Sequence, residues 1–243
     1  MPFHYSYILP IICAVWFYVT FILTYIISVY RKDVTPLFPY ISDTGTWSPE
    51  SCIFGIMLNI GALIQALIMY IRYRQVQFVM TKENQLPMTI KKNNKISLYL
   101  GLIAAFGVCI VGNFQETNAL VVHLIGAVAA FGLGSVYQCM QTRISFQLFP
   151  NVGDKIINFG RLFCSVIGGV MFLISCVFAG ISIMQFTGDD TTKWKKKDGG
   201  YINHFTSAIA EWILAITSVL FLLLYTKEFK NISLTEPLVS EKV

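Results

Sequence analysis

Few side chains in this chain have chemistry to offer, and they fall at particular places: Asp43, Glu50, Asn113, Gln115, Glu116, His123, His204 and Glu211. Carboxylates beside imidazoles could exchange protons near neutral pH, or with further donors hold a divalent cation. The spacings narrow this list. His123 and His204 lie on separate segments without HExxH-type spacing, which disfavours a metal-dependent hydrolase. The sequence has no GxSxG elbow, no P-loop and no dinucleotide fingerprint, so no catalytic, cofactor-binding or metal-ligating residue is expected. Two further readings of the cluster stay open. It is either a hydrogen-bonded network that pins loops to a scaffold, or a set of histidines that senses pH or binds a ligand.

The elements that must position these residues follow from composition. With 55% hydrophobic residues and 13% charged over 243 residues, and a mean hydropathy of +0.63, the chain is too apolar for a soluble domain of this length. Runs of about 20 apolar residues each cross a bilayer as a helix, and six occur, at about 8–30, 52–71, 96–113, 119–140, 162–186 and 205–225. The first lacks a basic leader and a small-x-small cleavage pattern, so it reads as a retained span rather than a signal peptide. The expectation is an all-α polytopic membrane protein, one domain over 1–243 with six helices in a compact bundle and a short tail from 226 to 243.

Orientation follows from the basic residues. Twelve of the 18 lysines and arginines fall in the 72–95 and 141–161 connections and the tail, and six on the opposite side. The positive-inside rule then puts both termini in the cytosol. The net charge of +5 reflects this topology and implies no nucleic-acid partner; the bilayer is the expected partner, and the oligomeric state is not readable. The connections 31–51, 114–118 and 187–204 share the lumenal or extracellular side. No pair of cysteines lies there to form a disulfide, and the sequon Asn231-Ile-Ser233 falls in the cytosol, so neither modification is expected.

The stretch from Phe38 to Gly55, FPYISDTGTWSPESCIFG, is rich in turn-forming residues, and Ser48, Pro49 and Glu50 read as cap, first helical residue and first-turn carboxylate. Gly126, Ala130 and Gly134, Ser165 and Gly169, and Ala62 and Ala66 repeat at four-residue spacing, which marks close helix approach. His204 precedes Glu211 by seven positions and shares its face. Glu211 is therefore expected to be the buried carboxylate, with His123 or His204 as its partner.

The run Pro39, Tyr40, Ile41, Ser42, Asp43, Thr44, Gly45, Thr46, followed by Pro49-Glu50, Phe54-Gly55, Asn113-Phe114-Gln115, His123, and Tyr201 with His204 and Ala210-Glu211-Trp212, closely resembles the damage-regulated autophagy modulator family. The resemblance runs from the first helix to the last. It implies a non-enzymatic six-span protein of lysosomal and other endomembranes that promotes autophagy and is tied to apoptosis. Wider relatives act in GPI-anchor remodelling and membrane lipid organisation, which keeps a lipid-handling role as the alternative. Three features depart from the pattern: Gly112 in place of alanine, Glu228-Phe229-Lys230 in place of Asp-Phe-Gln, and a short tail. Tyr73 to Val76 fits a tyrosine-type sorting pattern in form but abuts the membrane. Lysosomal location thus rests on the resemblance alone.

Overall fold

The computed structural model describes residues 5–83 and 87–234; the tail beyond 234 lies outside the described residues. Among these, six helices are long and apolar enough to cross a membrane: α1 Ile8–Arg31, α2 Glu50–Lys82, α3 Met88–Asn113, α4 Leu120–Leu148, α5 Lys155–Gln185 and α6 Tyr201–Phe229. This is the all-α, six-span architecture that the hydropathy runs imply. α6 is the innermost helix, since half of its most apolar stretch is buried against only 17% for α5. Packed around it are Cys13, Phe17 and Phe21 of α1, Phe54, Leu58 and Met69 of α2, and Tyr137 of α4.

The helices outrun their apolar stretches: α3 begins at Met88 and α5 at Lys155, ahead of runs that start at 96 and 162, and α2 and α4 extend at their far ends. α2 continues past Ile71 to Lys82, and α4 past Met140 to Leu148, because the polar residues there are buried and bonded rather than solvated. Arg72, Gln75, Gln141 and Ser145 are all inside. Hydropathy stops at the first guanidinium, but a helix does not when that group finds partners. A further irregularity lies within α4, where Val128–Leu133 form a wide π turn.

Small residues let α3 and α4 touch backbone to backbone. A Cβ on Gly107 would lie 2.6 Å from the Ala130 nitrogen and 2.7 Å from the Gly126 carbonyl oxygen. Without a hydrophobic drive between helices in lipid, such close approach supplies the packing energy. The spacing on α5 is offset from expectation. Among the described residues a Cβ on Gly169 meets no atom within 4 Å, whereas one on its neighbour Gly168 would lie 3.4 Å from Thr217 Oγ1 of α6. Ser165 keeps an interface role through a 2.8 Å bond with Thr142. Residue spacing placed the start of this stripe at Ser165 but took its next step as four residues where the packing uses three.

The start of α1 and the end of α6 sit together, with Ser6 Oγ donating to the Phe229 carbonyl at 2.9 Å. The connections 32–49, 114–119 and 186–200 cover the opposite end, termed the loop face.

Candidate functional site

On the loop face the segment 32–49 folds over the ends of the helices and is bonded to them, to itself and to the 186–200 connection. α1 ends at Lys32, which takes a left-handed conformation, and the Asp33 amide closes the turn onto Ser28 O at 2.9 Å. The following chain is tied down by Tyr25 OH donating to Pro36 O at 2.7 Å and Trp212 Nε1 donating to Pro39 O at 2.9 Å. A short 3₁₀ turn, Asp43–Gly45, then sits at the centre. Asp43 Oδ2 accepts from the Tyr40 amide at 3.1 Å, so its carboxylate organises its own turn. Thr44 Oγ1 bonds Thr24 Oγ1 of α1 at 2.9 Å, and Thr46 Oγ1 donates to Ser42 O at 3.1 Å. Gly45 lies flat on Phe54, where a Cβ would stand 2.3 Å from the ring. Each polar or small residue of the turn thus has a packing or bonding reason to be what it is.

The helix after this loop begins one residue later than its sequence suggests. Pro49 holds the cap position of α2, and no side chain caps it. The Trp47 and Pro49 carbonyls already satisfy the Ser51, Cys52 and Ile53 amides, at 2.8, 3.1 and 3.3 Å, so a Ser48 hydroxyl bond is not needed there. Glu50 is buried and faces Arg31 Nε at 3.4 Å, an ion pair that Arg31 shares with Asp33.

Glu211 is held by loop backbone and not by a histidine. Its Oε1 accepts the Ile41 amide at 3.2 Å. Seven residues amount to two helical turns, roughly 10 Å of rise, so His204 shares the face of Glu211 but is out of bonding reach, and the loop fills the gap. His204 instead lies stacked on Trp194, with ring centroids 4.3 Å apart, and edge-on to Tyr40 at 4.8 Å. His123 is buried against the 114–118 turn, its Nδ1 2.7 Å from Phe114 O.

Three carboxylates gather around the turn. Ser42 Oγ donates to Glu116 Oε2 at 3.0 Å, and Asp43 feels both Glu116 and Glu211. Burial first, and then these two negative neighbours, hold the Asp43 carboxyl well above the ordinary carboxylate range. Asn113 and Gln115 belong elsewhere. Asn113 exchanges amide bonds with Asn59 at 2.8 and 3.3 Å, and both Asn113 and Gln115 line a shallow groove of about 340 Å³ between α2 and α3. There Gly55 and Gly112 pack face to face, since a Cβ on Gly55 would lie 2.8 Å from the Gly112 carbonyl oxygen. Among the described residues, no group of three or more His, Cys, Asp or Glu is placed to hold a metal ion.

Beneath the loop, and lined by Ile41 and Ser42, the bundle holds a partly open cavity of about 90 Å³. Its wall is mostly apolar, from Phe17, Phe21, Phe54 and Phe131 among others, and is interrupted by Glu211, Gln138, Gln65, Ser42, Tyr137 and Ser218.

The opposite end holds a site that residue spacing did not reveal. Arg72 Nη1 and Arg161 Nη1 reach the two oxygens of Glu228 at 2.5 and 2.6 Å, and all three side chains are buried. Arg72 also donates to Gln141 and Gln75, both guanidiniums reach Ser145, and both lie over the Tyr225 ring at 5.4 and 4.5 Å. Read along the chain, these arginines are helix-end cations. The available signal was Glu228, a carboxylate directly after the last apolar run.

The chain matches the family model described as "Frag1/DRAM/Sfk1/Cwh43P N-terminal domain" over residues 5–232. It is 38% identical over 229 residues to mouse (Mus musculus) "DNA damage-regulated autophagy modulator protein 2", covering 93% of this chain and 84% of the relative. To the human (Homo sapiens) "DNA damage-regulated autophagy modulator protein 1" it is 36% identical over 228 residues, 93% and 91% of the two chains. To "Modulator of macroautophagy TMEM150B" of Xenopus tropicalis it is 34% identical over 218 residues, 89% and 82% of the two chains. No solved structure matches.

Proposed function

Because this chain belongs to the Frag1/DRAM/Sfk1/Cwh43P family, we propose that it modulates autophagy, with linked effects on apoptosis, as a non-enzymatic multi-pass protein of endolysosomal membranes. Its loop face is lumenal and both termini are cytosolic. Relatives sharing 34 to 38% of their residues over most of both chains carry autophagy-modulator names, and the basic residues favour this orientation. The observation that carries a scaffold role for the loop is the bond from Ile41 to Glu211. It ties residues 170 positions apart into one closed cap. Beneath that cap Glu211 takes the Ile41 amide, His204 stacks on Trp194 and Glu50 faces Arg31, three separate places rather than one reacting centre.

The cavity under the cap favours a second reading, in which the protein handles lipid. An apolar space with few polar groups, lying between helices of a bundle, is the usual form of a small-ligand site. An autophagic-flux assay of Glu211→Gln and His204→Ala against wild type at matched protein level tests the role of the cap. Reduced flux in Glu211→Gln is expected; normal flux in both removes the cluster from the function. Epitope access at residues 43 and 204 from the same side of the membrane checks the orientation.

A further inference from the structure

Of the polar side chains on the cavity wall, Ser42, Gln65, Tyr137, Gln138, Glu211 and Ser218, two present free acceptors, Glu211 and Gln138. Glu211 lines the cavity, and beyond the backbone bond from Ile41 its carboxylate has lone pairs to spare. Gln138 is only 5% exposed and its amide nitrogen donates to Ser218 Oγ at 3.1 Å, while its Oε1 has no hydrogen-bond partner. A wall that offers acceptors selects a ligand bearing donors over an acid or an ester.

Charge points the same way. Glu116 and Glu211 stand close enough to act on each other and on Asp43, whose own carboxyl burial favours in its neutral form. Among the described residues Arg31 pairs with Asp33 and Glu50 and Lys193 with Asp190, and Lys32, Lys195, Lys196 and Lys197 make no ion pair with these three carboxyls. The trio therefore has no ion-pair partner within the described chain. Size limits the occupant further. A cavity of about 90 Å³ has room for on the order of three to seven water-sized groups, enough for the leading part of one slender chain and too little for two.

We propose that this cavity takes an aliphatic primary amine, its ammonium against Glu211 and its first methylenes among Phe17, Phe21 and Phe131. This deepens the lipid-handling reading and rests on it. The amine comes either from a single-chain membrane lipid or from solution.

The test uses the full chain in zwitterionic nanodiscs at pH 7.5, labelled with a diazirine-bearing dodecylamine and mapped by peptide mass spectrometry. Labelling of peptides from 128–138 and 211–222 is expected. Dodecylamine should compete at least about tenfold better than dodecanol or dodecanoate, as a charge-assisted bond requires. Glu211→Gln should lose that preference, Glu211→Asp should keep it, and Ala215→Phe, which fills the cavity, should abolish labelling there. Competition by butylamine as strong as by dodecylamine assigns the source to solution, and competition by dodecylamine alone assigns it to the membrane; both support the amine. Equal competition by the three long-chain probes on the unmodified chain overturns the proposal, whether or not the variants fold. So does labelling confined to lipid-facing side chains such as Leu63 and Val121. Lost amine preference with normal autophagic flux in Glu211→Gln would leave the amine site standing and remove the cap from autophagy, so the two failures are distinguishable.

Discussion

Removal of the Glu228 carboxylate gives the sharpest test of the buried ion triad. Arg72 and Arg161 are fully inaccessible and cannot shed their protons. Glu228 is the carboxylate that faces both, at 2.5 and 2.6 Å. Each contact carries roughly 4 kcal/mol of attraction at the effective dielectric of a protein site, largely offset by the cost of dehydrating the charges. In Glu228→Gln that cost remains while the attraction goes, and two like charges are left sharing Ser145 and the Tyr225 ring. Breaking a buried pair from one side typically costs 3–5 kcal/mol. By the scaling for chains of about 150–250 residues that is a fall in melting temperature of roughly 6–20 °C. The assay is thermal unfolding of the detergent-solubilised full chain, followed by size-exclusion fluorescence. Glu228→Asp, one methylene shorter, should fall between the two because it reaches one guanidinium and strains toward the other. A melting temperature for Glu228→Gln within about 2 °C of wild type, less than 1 kcal/mol on that scale, would refute the claim that this carboxylate holds the terminal end together.

Gly45→Ala places a Cβ 2.3 Å from the Phe54 ring, and should cost about 1–3 kcal/mol by overpacking and open the loop, which limited proteolysis within 32–49 would detect. Gly55→Ala should destabilise by a similar amount, since its Cβ meets the Gly112 carbonyl oxygen at 2.8 Å, whereas Gly169→Ala meets open space and should be neutral or raise the melting temperature slightly. The Asp43 carboxyl is favoured in its neutral form by burial first and by Glu116 and Glu211 after that. Its contribution to stability is therefore present in full below the ordinary value of 3.8 and is lost as pH rises through the raised one. The protection of amides 40–46, their exchange rate corrected for the intrinsic base-catalysed rate, should accordingly be greater at pH 4.5 than at pH 7.5, and Asp43→Asn should flatten that difference.

Spans were legible because about 20 consecutive apolar residues have few alternatives to a membrane helix. The special nature of Phe38 to Gly55 was legible for a different reason. Gly45, Asp43, Thr44 and Pro39 are costly to place between two apolar runs unless a defined turn uses them, and the turn does use them. What did not come through was pairing. Face-sharing by His204 and Glu211 was correct as helical geometry, yet it carried no information that the Ile41 amide would occupy the carboxylate. The same limit applies to Arg72 and Arg161. As one-dimensional symbols they count toward orientation, and only the fold shows that a carboxylate at the end of the last helix draws both inside. Gly168 and Gly169 differ by a single position, and nothing short of the neighbouring helix distinguishes the one that packs.

The wide turn at Val128–Leu133 makes α4 tolerant of a shortening that it would not survive elsewhere. One residue advances an α-helix by about 100°, so deleting a residue near Ser135 would swing Tyr137, Gln138 and Gln141, all buried, round toward the lipid. A π turn already carries the surplus residue. Losing one there lets the helix relax to ordinary pitch while Gly126 above and Gln141 below keep their bearings. Ala130 and Phe131, which wall the cavity, are the side chains that such a deletion would re-aim, so the hollow and the scaffold could be altered separately in a single gene product.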